Sequence, residues 1–209
     1  MLIIDRVNII IGYFKDKEII KTELKYENPF QLLISVILSA QCTDKRINLI
    51  TPSLFEKYHN FNDLAYAPLE DVYDIIKAVS YPRDKSVRII EVSKVIHEKY
   101  RDIIPNDFNK LLDINGIGRK TANLVLSILY NYKGIAVDTH VLRVSNRLGL
   151  TRSSNATVVE KELANIFDSE YFNKINPWFV IFGRYKCKAK NPLCNGCSFE
   201  SICNYKKKK

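Results

Sequence analysis

The sequence predicts an all-α protein. Apolar residues return at helical spacing in one segment after another, and no segment alternates convincingly in the manner of a strand. There is no internal repeat, low-complexity stretch or long linker either, so the 209 residues read as two halves joined by short loops. With 46% hydrophobic and 26% charged residues, a chain of this length can bury a sizeable core.

The first segment, "MLIIDRVNIIIGYF", has the apolar character of a leader, but Asp5 and Arg6 interrupt it. Ile3, Ile4, Val7, Ile10, Ile11 and Phe14 fall at helical spacing, which predicts an amphipathic helix packed on a core. Pro29 opens "PFQLLISVILSAQ", apolar around most of its circumference and therefore central and buried. A helix near Asp44–Tyr58 follows, which Pro52 is expected to break or kink. "PLEDVYDIIKAV", "RDKSVRIIEVSKVIHEKY", "NDFNKLLDI" and "RKTANLVLSILYNY" continue the pattern. The least helical stretch before the cysteines, Asn131–Val137, marks the crossing between halves. "HVLRVSNRLGL", "NATVVEKELANIF" and "NPWFVIFGRYKC" complete the series.

Lys and Arg number 32 against 23 Asp and Glu, a net charge of +9, which favours a polyanionic partner and nucleic acid first. Part of the excess lies in "KKKK" (Lys206–Lys209), expected to be a frayed, solvated end. No apolar run reaches the ~18 residues that span a bilayer, so a soluble, intracellular chain with no membrane partner is expected.

Four of the five cysteines lie between Cys187 and Cys203 in the spacing C-x6-C-x2-C-x5-C. An intracellular setting disfavours disulfides, and Cys187, Cys194, Cys197 and Cys203 then read as thiolate ligands. Spacing alone does not separate zinc from an iron–sulfur cluster. Structural zinc sites usually carry two short C-x2–4-C knuckles and this segment has one, which tilts toward a cubane cluster. Cys42, alone in "SAQCTD", reads as a small buried hydrophobe.

The strongest signal outside the cysteines is "LLDINGIGRKTANLVL" (Leu111–Leu126). Gly116 and Gly118, on either side of Ile117, permit a tight turn. That turn opens onto a helix N-terminus whose unpaired N–H groups and dipole attract phosphate. Such a helix–hairpin–helix grips a nucleic-acid backbone without reading bases. Arg119 and Lys120 occupy the first helical turn, the unfavourable end for cations. Phosphate contact explains Arg119. Lys120 is either a second phosphate ligand or, because the positive helix end disfavours its ammonium, a nucleophile able to form a Schiff base. In "IAVDTHVLRVSNR", Asp138 is by position an N-cap, or else a carboxylate that stabilises positive charge on a sugar, and His140 shares its turn. Ser39, Gln41 and Asp44 in "LSAQCTD" stand at the exit of the buried helix, where polar residues commonly bond to the backbone.

Together "LLDINGIGRKTANLVL", "AVDTHVLRV", "LLISVILSAQCTD" and the cysteine spacing resemble the endonuclease III family of DNA repair glycosylases, over essentially the whole chain and in the family's order. The resemblance implies a two-lobed helix–hairpin–helix glycosylase fold. A six-helix barrel lobe would span residues 22–132, and a second lobe would combine residues 1–21 and 133–209. In that second lobe the loop 187–203 would ligate a [4Fe–4S] cluster through the four cysteines. The partner implied is double-stranded DNA with damaged bases or abasic sites, bound by a cytoplasmic monomer across the cleft between the lobes.

The resemblance also implies roles. Lys120 would displace a damaged, oxidised pyrimidine and form a Schiff base that permits β-elimination, and Asp138 would stabilise developing charge and assist proton transfer. Ser39, Asp44 and His140 would surround the flipped nucleotide while Gln41 fills the vacated gap. Gly116, Ile117, Gly118 and Arg119 would hold backbone phosphate, with Lys188 and Lys190 as a basic rim. The chain departs from the family at "VSYPRDKS" (Val79–Ser86), where a glycine and an apolar residue are usual and Ser80, Tyr81 and Pro82 stand instead. Pro82 is expected to hold Tyr81 extended just ahead of a helix, so that the ring projects as a wedge into the base stack rather than closing the core. Two relatives compete as readings: a glycosylase for adenine opposite oxidised guanine, which lacks the hairpin lysine, and a thymine/uracil mismatch glycosylase. A non-catalytic DNA-binding iron–sulfur redox sensor is the competitor from another class.

Overall fold

Asn28, Thr43, Asn60 and Asp107 each offer a side-chain oxygen to a backbone N–H one turn into the helix that follows, so four helices of one half start on a cap. The computed structural model describes residues 1–17 and 22–205; Lys206–Lys209, expected to fray, lie outside the described residues. It divides into two units: a continuous one, Thr22–Tyr130, and a discontinuous one made of Met1–Lys21 and Asn131–Lys209. All regular structure among the described residues is helical. None of these helices is long and apolar enough to cross a membrane.

In chain order, α1 (Ile3–Phe14) belongs to the discontinuous unit. The continuous unit follows with α2 (Pro29–Leu38), α3 (Asp44–Lys57), α4 (Phe61–Ala65), α5 (Leu69–Ile76), α6 (Pro82–Tyr100), α7 (Phe108–Leu112) and α8 (Arg119–Tyr130). The chain then returns to the discontinuous unit for α9 (Thr139–Arg147), α10 (Ala156–Ile166) and α11 (Phe172–Tyr185), with short 3-10 turns at Ser169–Tyr171 and Glu200–Ile202.

α2 is the buried hub that its composition demands, with every residue from Leu32 to Leu38 out of solvent. α6 packs against α2, α4 and α5. Pro52 does not break α3. Its ring lies on the exposed side, where water can satisfy the carbonyl one turn back, and the Thr51 hydroxyl bonds the Ile47 carbonyl at 3.0 Å in the same stretch. The short α4 has too few residues for a readable period and was not foreseen.

The discontinuous unit packs around aromatic rings. Phe14 of α1 stacks on Trp178 with centroids 5.2 Å apart, and Phe199 meets Tyr13 at 4.8 Å and Phe182 at 4.9 Å, both edge-on. The buried stripe of α1 is Val7, Ile10 and Phe14, narrower than its sequence suggests, since Ile3 and Ile4 are 41% and 51% exposed. Arg6 on the same helix donates to the Leu148 carbonyl at 2.7 Å and also to the Ile202 carbonyl.

Candidate active site and cysteine centre

Between α7 and α8 the chain turns through Gly116 with φ +97°. That is a conformation costly for any other residue, and a Cβ there would stand 2.6 Å from the Arg88 side chain. Gly118 differs from expectation. Its φ is ordinary and a Cβ would meet nothing within 4 Å, so the turn itself does not require it. Ile117 is 4% exposed and its amide donates to the Ile114 carbonyl at 3.0 Å, so it anchors the turn in the core instead of reaching outward. Arg119 sits over the Phe108 ring at 4.9 Å. Lys120, the second residue of α8, is half-buried, and its ammonium has no hydrogen bond or ion pair among the described residues.

At the exit of α2, the Ser39 hydroxyl bonds the Val36 carbonyl at 2.8 Å, and Asp44 is the first residue of α3 behind the Thr43 cap. Gln41 between them is exposed with φ +56°. Tyr81 is 63% exposed and so is no part of the core. Its backbone corrects the expectation of an extended residue: φ and ψ are both 54°, in the left-handed region. Three tethers account for this. The Ser80 amide donates to Cys42 Sγ at 3.1 Å, the Ser80 hydroxyl donates to the Gln41 carbonyl at 2.7 Å, and the Tyr81 carbonyl accepts the first bond of α6 from Lys85 at 3.1 Å. Tyr81 is thus held on both sides, and the proline that follows disfavours the right-handed helical region. Cys42 is likewise not a simple buried hydrophobe. Burial pushes its thiol up, but the Ser80 hydroxyl and amide and the Lys85 ammonium outweigh that and bring it below an ordinary cysteine.

In the discontinuous unit, Asp138 caps α9. Its Oδ1 accepts from the amides of His140 and Val141, each at 2.8 Å, and Oδ2 has no partner among the described residues. Arg143 Nη2 lies 3.1 Å from His140 Nδ1 and donates to the Gly183 carbonyl at 2.9 Å. A guanidinium only donates, so Nδ1 is the acceptor and the ring proton is assigned to Nε2. Burial lowers His140 below the usual imidazole range against the pull of Asp138, and the Arg143 and Arg184 charges add to the lowering. Gly183 makes this approach possible, because a Cβ there would stand 3.0 Å from both Arg143 Nη2 and His140 Nδ1.

Cys187, Cys194, Cys197 and Cys203 line one pocket, together with Arg147, Phe182 and Tyr205. Burial pushes the Cys203 thiol up, and the three other cysteines add to this by charge repulsion, which is the electrostatic signature of thiolates sharing one space. No carboxylate or imidazole lines that pocket, so the donor set is purely sulfur, the set that soft metal centres take. Among the described residues, no three Cys, His, Asp or Glu side chains already stand in a single-ion arrangement. Arg147 braces the segment: Nη1 donates to the Lys188 carbonyl at 2.7 Å and Nη2 to the Ala189 carbonyl at 3.1 Å, while the guanidinium lies 3.9 Å from the Tyr205 ring centroid. Lys188 and Lys190 are both exposed.

Residues 34–169 match the family model of the HhH-GPD superfamily of base excision DNA repair proteins. The chain is 41% identical over 185 residues to the endonuclease III of Rickettsia felis, an alignment that covers 88% of this chain and 87% of that protein. The chain belongs to the endonuclease III family. A solved structure of a trapped endonuclease III–DNA covalent intermediate superposes with a TM-score of 0.89 at 38% identity, covering 98% of this chain and 97% of the other. A thermostable thymine-DNA glycosylase shares the fold, with a TM-score of 0.80 over 95% and 94% of the two chains at 21% identity.

Several residues in these networks carry no signal of their bonds in the sequence. Arg143 and Arg147 are one helical turn apart on α9, and nothing in "VLRVSNR" distinguishes a solvated cation from one that holds carbonyls. Lys85 is equally silent, and Ser80 marks a departure from the family without showing its tether, because their partners lie more than thirty residues away.

Proposed function

We propose that the chain is a bifunctional DNA glycosylase and abasic-site lyase that removes oxidised pyrimidines from double-stranded DNA. The observation that carries this reading is Lys120. Its ammonium is half-buried and unpaired among the described residues, in the first turn of α8, immediately beyond the hairpin. A structural lysine at such a place would find a carboxylate or remain in solvent. Gly118 supports the same reading, since its open Cβ position lets a phosphate approach the backbone at the helix N-terminus.

A damaged base is first flipped out of the duplex at a cost of a few kcal/mol. The Lys120 Nζ, with its lone pair free, attacks the sugar C1′, the C1′–N bond breaks, and the base leaves with that bond's electron pair and takes up a proton. Asp138 stabilises the positive charge that develops on the sugar and accepts the amine proton. Its spare Oδ2 supports this role, because Oδ1 alone suffices for the cap. Ring opening leaves an iminium between Nζ and C1′. The iminium acidifies the adjacent C2′–H, and loss of that proton expels the 3′ phosphate, cutting the strand. Ser39, Asp44 and His140 line the flipped nucleotide, Gln41 and Tyr81 enter the gap it leaves, and Arg119, Lys188 and Lys190 meet phosphates. Cys187, Cys194, Cys197 and Cys203 would hold a [4Fe–4S] cluster, which supplies cross-linking of the segment and a redox-active charge, and none of the proton or bond steps above. The protein acts in the cytoplasm, where DNA is its substrate.

The test is a set of duplexes carrying thymine glycol, 5,6-dihydrouracil, uracil opposite guanine or thymine opposite guanine. Strand cleavage and a borohydride-trapped covalent adduct are expected with the first two. Activity confined to the uracil and thymine mismatches would replace this reading with a mismatch glycosylase. Binding with no adduct on any duplex would replace it with a non-catalytic sensor.

A further inference from the structure

Lys85 is the one charged side chain among the buried residues described, at 3% exposure. It sits in the first turn of α6, where a cation is disfavoured by the helix dipole, and no carboxylate bonds it. Its ammonium instead donates to the Leu38 carbonyl at 2.8 Å and the Ala40 carbonyl at 2.6 Å, and lies 3.7 Å from Cys42 Sγ. These are the orphan acceptors at the C-terminal end of α2, where the negative end of the dipole welcomes a positive charge.

A helix end is ordinarily closed by water, a glycine or an exposed side chain. Burying an ammonium for that purpose costs more than any of these, so the structure gains something beyond a cap. The gain is visible in what lies on either side. Gln41 follows Ala40, and Tyr81 opens α6, and each is an exposed, non-glycine residue in the left-handed region, a strained conformation that persists only when its surroundings over-determine it. Lys85 reaches both. Its backbone amide holds the Tyr81 carbonyl at 3.1 Å, while its ammonium holds Ala40, next to Gln41. Ser80 closes the loop between them through its 2.7 Å bond to the Gln41 carbonyl, and Arg46 adds a 2.8 Å bond to the Ala78 carbonyl.

We infer that Lys85 is a positioning residue for base extrusion: it locks the backbones of Gln41 and Tyr81 at a fixed separation, so that the two side chains enter the base stack as one rigid fork. This rests on the glycosylase reading and deepens it. Lys85 itself touches no DNA and takes no part in bond making. Its effect therefore belongs to the opening of the duplex alone, and substrates that are already open do not need it.

Lys85→Met keeps the buried stem and removes the donors. Single-turnover cleavage is measured on a dihydrouracil duplex and on the same strand with the lesion in an unpaired bubble, with 2-aminopurine beside the lesion reporting extrusion. The variant is expected to lose about tenfold or more on the duplex, with a matching loss in the extrusion phase, since small misplacements of reacting or inserting groups are costly. On the bubble it should stay within about twofold of wild type, because no stacked base has to be displaced. Combined with Tyr81→Gly it should be little slower than the worse single variant, as expected for residues acting as one unit. Ser80→Ala, which cuts the same fork at its other tie, should show the same duplex-only loss in milder form, and serves if Lys85→Met does not fold. Equal losses on duplex and bubble, or no loss on the duplex with either variant, would overturn the inference. Failure of the wild type on both substrates would instead sink the glycosylase reading.

Discussion

The core of the continuous unit is built from Leu, Ile and Val on seven successive helices, with Phe30, Tyr58 and Phe61 as its few buried rings. The discontinuous unit packs Phe14, Phe167, Trp178, Phe179, Phe182 and Phe199 around a smaller aliphatic set, and draws two of its buried residues, Phe199 and Ile202, from the cysteine segment itself. In the first unit, helices are capped locally and contacts are spread over many similar side chains, so losses stay local. In the second, arginines from helices α1 and α9 hold loop carbonyls, and the segment that carries the thiols is also a wall of the core. The proposed nucleophile, Lys120, stands on the first unit, and the four clustered cysteines stand on the second, in a segment that also supplies core residues.

Lys120→Gln is the sharpest test of that division. It should abolish borohydride trapping and strand cleavage while leaving the melting temperature and duplex affinity close to wild type, because an unpaired amine supports no contact in the fold. Asp138→Asn should slow base release by about 10²–10⁴-fold, the usual range for a lost acid–base group. Asn caps a helix as well as Asp does, so stability should hold, whereas Asp138→Ala should add about 1 kcal/mol of destabilisation. Phe199→Ala should cost about 3–5 kcal/mol and release bound iron, while Ile89→Val in the continuous core should cost about 0.5–1.5 kcal/mol and release none. Calorimetry with an iron assay decides it, and equal costs would erase the contrast between the cores. Lys188→Ala and Lys190→Ala should each reduce the slope of log affinity against log salt by about 0.9 without changing lesion preference. The smallest effect concerns pH. His140 is held below its ordinary range, so the unfolded chain takes up the proton first on acidification. Stability should therefore be complete above about pH 6.5 and decline below it, by no more than about 1.4 kcal/mol per pH unit. His140→Asn should flatten that decline in denaturant titrations.

Much of this was legible in advance because it is local. Helix periods, the hairpin turn, the Asp138 cap and the cysteine spacing each reside within a few residues, and the structure carries each element where its pattern lies. What escaped was set by distant partners. Tyr81 reads as extended from Pro82 alone, and becomes left-handed because Cys42 and Gln41, some forty positions earlier, tether Ser80. Pro52 reads as a breaker, and is tolerated because of the side of the helix on which it falls. Gly118 reads as a conformational necessity, and its backbone angle shows that it is not. Lys85 carries no mark at all, since a buried lysine and a solvated one look alike until the helix end it closes is known.

The pairing of Phe14 with Trp178 has a consequence for how the molecule is made. On the ribosome α1 emerges well before the rest of its unit, since its stacking partner follows more than 160 residues later and Phe199 later still. The continuous unit, complete by Tyr130, can fold during that interval, while α1 waits with Val7, Ile10 and Phe14 uncovered. Closure of so long a loop is entropically slow and leaves an apolar stripe open to wrong partners in the meantime. Joining α1 downstream of the cysteine segment, by circular permutation, would turn its longest-range contacts into short-range ones. The permuted chain should gain its native aromatic packing sooner after dilution from denaturant.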